Sequence, residues 1–595
     1  MGGTYSTFRT SRFVMLLTIL VVGGSGVGMA QVPGPRPPVG PPIQNVLPYT
    51  PTPVSPELQP PPPSPCSPIP VTGGPTQRIT SVQFAPAIAY SEPTLRERVS
   101  ACAGDLVGPA TSVAQIDKAR QAIVDLYRGD GYLYTAVSAR ISGTTLTITA
   151  IEGYIKEVKL DGDQGAFATL ALKFLGHLVS DDGHPLKTTD LEHWLLLTSD
   201  IPGVSLSSVL RSPAADEPPG ALTLVVRLHR DAISGLVTLD NRAYWFTGPN
   251  EGLGVVDFNS FTSLGERTEL SLLSSLHVGQ QLFGQASTEV FLGDRGLKLK
   301  IYGGAGYNEP GGPLKSEDYF GFTTIFGAQL SYPVIRLRQQ TLNVTANFDA
   351  LQSSIDTSAG SGAPSTRLSY DSMRVLRAGV DYAWYDMWAG GDRGATNAVA
   401  IKLSQGLHAL GASPNGETDA PRTGERTDLF KIKFDLSRTQ RLFGLWTDAS
   451  LSLRGALSGQ YSPDILPPAE EFFLGGPHFD RGYYAGEVTG DSALVGTVEL
   501  LLDTTIITPA APNVTSTAQF YTFFDAGQAW NNQPNQQNIT LRSAGLGVRF
   551  YPNGTPKYEM DVEGVQRFTL FPNGSGPGVS ALNGQAVYWM LLVRF

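Results

Sequence analysis

In the stretch Phe430-Lys431-Ile432-Lys433-Phe434-Asp435-Leu436-Ser437 every even position is apolar and every odd one is polar or charged. Side chains of an extended strand point alternately to opposite faces, so this segment has one oily face and one wet face. The pattern recurs at Leu342, Val344, Ala346 and Phe348 against Asn343, Thr345, Asn347 and Asp349, and at Val399, Ile401 and Leu403 against Lys402 and Ser404. A soluble sandwich alternates in the same way, so the number of such segments carries the decision. Sixteen strands are predicted after Asp231, near 233–241, 252–260, 267–276, 283–292, 296–307, 321–331, 340–351, 373–384, 396–407, 428–438, 446–457, 493–503, 517–526, 540–551, 556–567 and 586–595. An even set of strands of roughly ten residues, joined alternately by short turns and longer polar loops, closes into an antiparallel transmembrane barrel with no free edge.

The rest of the composition fits that class. The chain has 595 residues, 41% hydrophobic and 16% charged, with 66 glycines and a net charge of -10. The charged fraction lies below the roughly 25% usual for soluble domains. With no long basic run there is no electrostatic footprint for nucleic acid. Arg9 and Arg12 precede the ten-residue apolar run Phe13 to Val22, and small residues follow up to Ala30. That run is too short to span a bilayer as a helix, and residues 1–30 read as a secretory signal peptide cut between Ala30 and Gln31. Residues 31–75 hold 18 prolines among 45 residues and read as a polyproline-like or disordered spacer. Cys66 and Cys102 are the two cysteines of an exported chain, and a disulfide between them is expected.

Between spacer and barrel, the order strand, helix, helix, strand, strand occurs twice. In residues 76–153 a strand is expected over 78–84, helices over 94–102 and from Ser112, and a hairpin over 132–141 and 144–151. Ser112 offers an N-cap with Gln115 behind it, and Ile116, Ala119, Ile123, Val124 and Tyr127 follow at helical spacing until Gly129 and Gly131. In residues 154–230 the same order runs through 155–160, 167–178, 189–197, 204–210 and 222–228. Two such units resemble polypeptide-transport-associated (POTRA) domains, though a pair of unrelated α+β modules has the same order. A POTRA sheet edge accepts an extended client strand through main-chain hydrogen bonds.

One inter-strand connection, 458–492, combines great length with unusual composition: Phe472-Phe473-Leu474-Gly475-Gly476-Pro477-His478-Phe479-Asp480-Arg481-Gly482-Tyr483. Arg481 followed by glycine and an aromatic resembles the tip motif of the loop that folds into the lumen of POTRA-barrel transporters. Phe523-Phe524-Asp525-Ala526-Gly527 resembles their barrel-wall motif, whose aspartate pairs with the loop arginine. By alternation Asp525 shares a face with Tyr521 and Phe523, opposite Thr522 and Phe524. With Ile151-Glu152-Gly153 at the domain junction and Asp240-Asn241-Arg242 opening the barrel, the chain resembles the two-partner secretion transporter family (TpsB, haemolysin secretion/activation proteins).

That resemblance implies an outer-membrane protein with periplasmic POTRA domains that bind an unfolded, TpsA-like exoprotein and pass it to the cell surface through a monomeric barrel, without cofactor. The site residues it implies are Phe479, Asp480, Arg481, Gly482 and Tyr483 on the loop and Phe523, Asp525 and Gly527 on the wall. The last strand, with Val587, Trp589, Leu591, Val593 and Phe595 on one face, resembles the signal read by the barrel assembly machinery. A related barrel-assembly factor and a passive porin are the competing readings; a porin leaves residues 76–230 without a purpose. No HExxH, GxSxG or P-loop is present, so no enzyme is expected, and no metal site.

Overall fold

The computed structural model describes residues 54, 75–212, 217–277, 279–358, 364–391, 393–507, 515–534, 536, 538–552, 557–568 and 583–595. Ala30, Gln31 and Cys66 lie outside them.

The first unit runs β1 (Thr76–Ile79), β2 (Ser81–Phe84), α1 (Glu92–Ala103), β3 (Gly108–Ser112), α2 (Val113–Gly129), β4 (Ala136–Ser142) and β5 (Thr145–Ile151). The Ser112 hydroxyl accepts from the Gln115 N–H at 3.1 Å, starting α2. Leu95 and Val99 of α1 and Ile116, Ala119, Ile123 and Tyr127 of α2 pack on Leu146 and Ile148 of the sheet β2-β5-β4. Cys102 is buried on α1 and disulfide-bonded.

Two expectations are corrected here. The strand expected over 78–84 breaks at Thr80, whose N–H turns to Thr144, and its first half pairs with β3. The hairpin strand starts at Ala136 and not at Tyr132, because the Tyr132 N–H closes the end of α2 on the Tyr127 carbonyl at 2.8 Å.

The second unit runs β6 (Tyr154–Gly162), α3 (Ala168–Gly176), α4 (Thr188–Ser199), β7 (Val204–Arg211) and β8 (Ala221–Arg230), with sheet order β6-β8-β7. Its core takes in Phe291 from the barrel, in edge contact with Phe174 at 5.4 Å between ring centroids. Asp200, at the end of α4, receives both arms of the Arg336 fork at 2.7 Å each. The unit is thereby seated on the barrel rim from which the first strand rises.

The barrel itself is β9 (Ile233–Asp240), β10 (Glu251–Asn259), β11 (Arg267–Ser275), β12 (Gln281–Phe291), β13 (Lys298–Asn308), β14 (Tyr319–Arg336), β15 (Gln340–Ser358), β16 (Ser365–Asp386), β17 (Ala395–Gly406), β18 (Phe430–Trp446) and β19 (Ala449–Tyr461), then, after the hairpin β20 (Phe472–Leu474) and β21 (Val488–Gly490), β22 (Ser492–Ile507), β23 (Thr515–Trp530), β24 (Ile539–Tyr551), β25 (Tyr558–Phe568) and β26 (Asn583–Arg594). Sixteen of these strands form one closed antiparallel ring, β26 pairing back onto β9. The alternation is obeyed: Phe430 and Leu436 face out while Lys431 is buried, and Val587, Leu591, Val593 and Phe595 face out while Tyr588 is buried. No described helix is long and apolar enough to cross a membrane.

Several strands outrun their expected ends, most of all β15 and β16, which pair up to Ser358 and Ser365. Apart from Ile355, Leu368 and Tyr370 the residues that these two strands add at those ends are polar, so no sustained period marks them in the sequence. They rise on the rim away from the N-terminal units, here the far rim.

Candidate functional site

Residues 462–491 leave the far rim, turn inward and return between β19 and β22. The tip is a tight turn: the Tyr483 N–H donates to the Asp480 carbonyl at 2.9 Å, with Asp480 in left-handed backbone at φ 51°. Here the structure brings all the loop and wall residues named above together.

Arg481 lies on β23. Its Nε and Nη2 donate to the two Asp525 carboxylate oxygens at 3.0 Å each, and its own backbone N–H adds a third bond to Oδ2 at 2.9 Å. Nη2 also reaches the Thr497 hydroxyl at 2.9 Å, and Nη1 pairs with Glu499 Oε1 at 2.5 Å. The guanidinium stacks on the Phe523 ring at 3.6 Å from its centroid. Arg481 is 2% exposed and Asp525 0%. A planar fork meeting a carboxylate through parallel bonds, away from water, fixes direction as well as distance.

The neighbours of Arg481 hold the turn from the other sides. The Gly482 N–H donates to the Ser543 hydroxyl at 3.2 Å, and the Tyr588 hydroxyl donates to the Gly482 carbonyl at 2.8 Å. A Cβ at position 482 would come within 2.6 Å of the Ser543 Cβ, so only glycine sits this close to the wall. The Tyr483 hydroxyl donates to the Arg542 carbonyl at 2.8 Å. Phe479 packs with Phe472, Leu474, Val488 and Val495. Gly527 leaves room for the Asp480 carboxylate, which would lie 2.3 Å from a Cβ there. Neither Asp480 carboxylate oxygen has a hydrogen-bond donor among the described residues.

Sequence reasoning missed the other partners. Glu499 and Thr497 of β22 were detectable, since they share the inward parity opposite the exposed Val498. Two further anchors depend on the fold alone. Glu470 is held by Arg377 at 2.6 Å and by Lys431 at 2.7 Å, with Asp349 on the far side of Arg377 at 2.6 Å. At the loop root Arg422, from loop 407–429, donates to Asp491 at 2.5 Å and to the Leu466 carbonyl at 2.5 Å and pairs with Glu471 at 3.0 Å. The loop is thus tied to the wall at its root, its descending arm and its tip. Among the described residues no group of three or more His, Cys, Asp or Glu is placed to hold a metal ion.

A closed sixteen-stranded barrel with α+β units seated at one mouth and an inward loop gripped by its wall defines an outer-membrane transport barrel of the POTRA class. The model of the haemolysin secretion/activation protein ShlB/FhaC/HecB family matches residues 224–550, and the chain belongs to that family. Over 467 residues, 76% of this chain and 77% of the relative, it is 21% identical to the heme/hemopexin transporter protein HuxB of Haemophilus influenzae (strain 86-028NP). Among solved structures, CdiB from Escherichia coli superposes with a TM-score of 0.66 at 17% identity over 88% of this chain and 91% of that one. CdiB from Acinetobacter baumannii gives 0.62 at 15% identity over 93% and 96%. The family consists of secretion channels that act with a cognate exoprotein, not of enzymes. The chain is accordingly an outer-membrane barrel with its N-terminal units in the periplasm, which makes the far rim extracellular.

Proposed function

We propose that the POTRA units capture the unfolded N-terminal part of the secreted partner by sheet-edge addition, and that the barrel conducts it outward once the tip turn at Arg481 leaves the wall. The observation that carries this reading is the loop itself: it turns into the barrel, and among the described residues the only ion pairs at its tip are those of Arg481, to Asp525 and Glu499. The ion-paired part of this grip holds firmly in one position and dissolves once displaced into water. On the periplasmic side, β4 and β7 are edge strands of their three-stranded sheets, and Val209 of β7 is 62% exposed. Such an edge offers main-chain donors and acceptors with little demand on client sequence. The same reading has the barrel acting as a monomer, folded by the barrel assembly machinery.

A photo-crosslinking residue at position 209, introduced into the full-length chain, tests the capture step. Adducts with the N-terminal part of the exoprotein are expected from this edge. No adducts from position 209, with adducts from the same residue placed instead on the exposed faces of α1 or α2, would move the binding surface elsewhere.

A further inference from the structure

The extracellular rim carries a second polar cluster that the tip turn does not use. β17 pairs with β16 only from Val375 onward, so residues 365–374 of β16 have no barrel strand on that side. Loop 407–429 lies along this edge. The Leu407 N–H donates to Arg374 O at 2.8 Å, the Ser413 N–H to Ser372 O at 2.8 Å, and the Tyr370 N–H to Asp419 O at 2.9 Å. The covering satisfies an edge that would otherwise pair with foreign strands. The same loop delivers Arg422 to Asp491 and Glu471 at the root of the lumen loop.

At the seam Asp371 of β16 meets Glu425 of the loop, 2% and 3% exposed. Asp371 Oδ1 and Glu425 Oε1 have no hydrogen-bond donor among the described residues, and the two carboxyl groups lie within hydrogen-bonding reach of each other. The second Glu425 oxygen accepts from the Arg422 backbone N–H at 3.1 Å. Two buried carboxylates in contact cannot both ionise, because their repulsion is unscreened; one proton between them turns repulsion into a hydrogen bond.

We propose that Asp371 and Glu425 share one proton, forming a latch that holds loop 407–429, and with it Arg422, against the extracellular rim. Loss of the proton frees the loop and loosens the root of the lumen loop. The charges acting on the pair are Asp419 and Arg422, both from the same loop. On β15 the register partner of Asp371 is the uncharged Ser353, and Glu471 and Asp491 of the lumen loop face the Arg422 guanidinium.

Burial first, and then the Asp371 carboxyl, push Glu425 from an ordinary 4.5 up to about 9. The sign follows. The closed seam binds a proton that the open one gives up, so the latch is fully set below the ordinary value and lost as pH rises through the raised one.

Nitroxide labels at Leu410 of the loop and Leu368 of β16, both exposed, report the seam in the full-length protein reconstituted in lipid. From about pH 5 to about pH 8 a single narrow distance distribution is expected, broadening as the pH passes about 9. Glu425→Gln, whose amide donates to Asp371 without a titrating proton, should stay narrow throughout; Glu425→Ala should be broad throughout. A wild-type distribution that does not change with pH, or a Glu425→Gln protein that titrates like wild type, overturns the proposal. So does a response to calcium or to chelator at neutral pH, which would put a cation in place of the proton. The readout needs no cargo, so it stands or falls apart from the secretion reading.

Discussion

Removing the Arg481 side chain leaves the Asp525 carboxylate, 0% exposed, with only the backbone N–H of residue 481 among its present donors. Truncating one partner of a buried, hydrogen-bonded ion pair costs about 3 to 5 kcal/mol, because the other charge is stranded. Spent on the docking of one loop, that shifts its docked-to-free ratio roughly a hundredfold to a few thousandfold toward free. The two ends of the pair are not equivalent. In Asp525→Ala the guanidinium keeps Glu499 and Thr497, so the loss should be smaller than in Arg481→Ala; Glu499 in turn keeps Arg454 at 3.2 Å when Arg481 is removed. The double variant should be no worse than Arg481→Ala, since the second change removes the charge that the first one strands. Single-channel recording in planar bilayers reads the loop directly, and heat-modifiability on gels reports whether the barrel has folded. Folded barrels with larger or noisier conductance are expected in the order Arg481→Ala, then Asp525→Ala. Wild-type conductance in both singles, or effects that add in the double, would show that the Arg481–Asp525 fork does not hold the loop.

Gly482→Ala should give the Arg481→Ala phenotype with every charge intact, because its Cβ, 2.6 Å from that of Ser543, lifts the turn off β24; recording both variants side by side checks it. Arg422→Ala strands Asp491, which is 0% exposed, and should raise protease sensitivity within 462–491 while leaving the tip contacts in place, as limited proteolysis of the folded protein would show. Cys66 and Cys102 should be recovered as one bridged peptide on non-reducing mapping, and reduction should destabilise the first POTRA unit by about 3 to 4 kcal/mol in the chain-entropy picture. Recovery of both as free thiols would end that assignment.

The barrel was legible because lipid on one side and a polar lumen on the other impose a period of two on every strand that crosses the membrane. Where β15 and β16 rise above the rim that constraint lapses, and their polar ends, such as Ser353, Ser354 and Ser369, carry no mark of strand. β3 stayed hidden for a related reason: Gly-Pro-Ala-Thr-Ser has no apolar alternation, and only its pairing with β1 marks it as a strand. In the lumen, Arg481 and Asp525 were readable from local motifs, and Glu499 from parity. Arg422 and Asp491 are 69 residues apart and Arg377 and Glu470 are 93 apart, each a lone charge in an ordinary loop or strand until the ring closes. Only the closed ring shows that the loop is held at three places.

Secretion of a partner protein is the work this barrel is expected to do. Its most direct test is co-expression of the full-length chain with its cognate exoprotein in a host lacking both, followed by protease treatment of intact cells. Exoprotein degraded at the surface or found in the medium with the wild-type chain, and retained in the periplasm with folded Arg481→Ala, is the predicted result. Exoprotein held in the periplasm beside a folded wild-type barrel that passes only small solutes would contradict it.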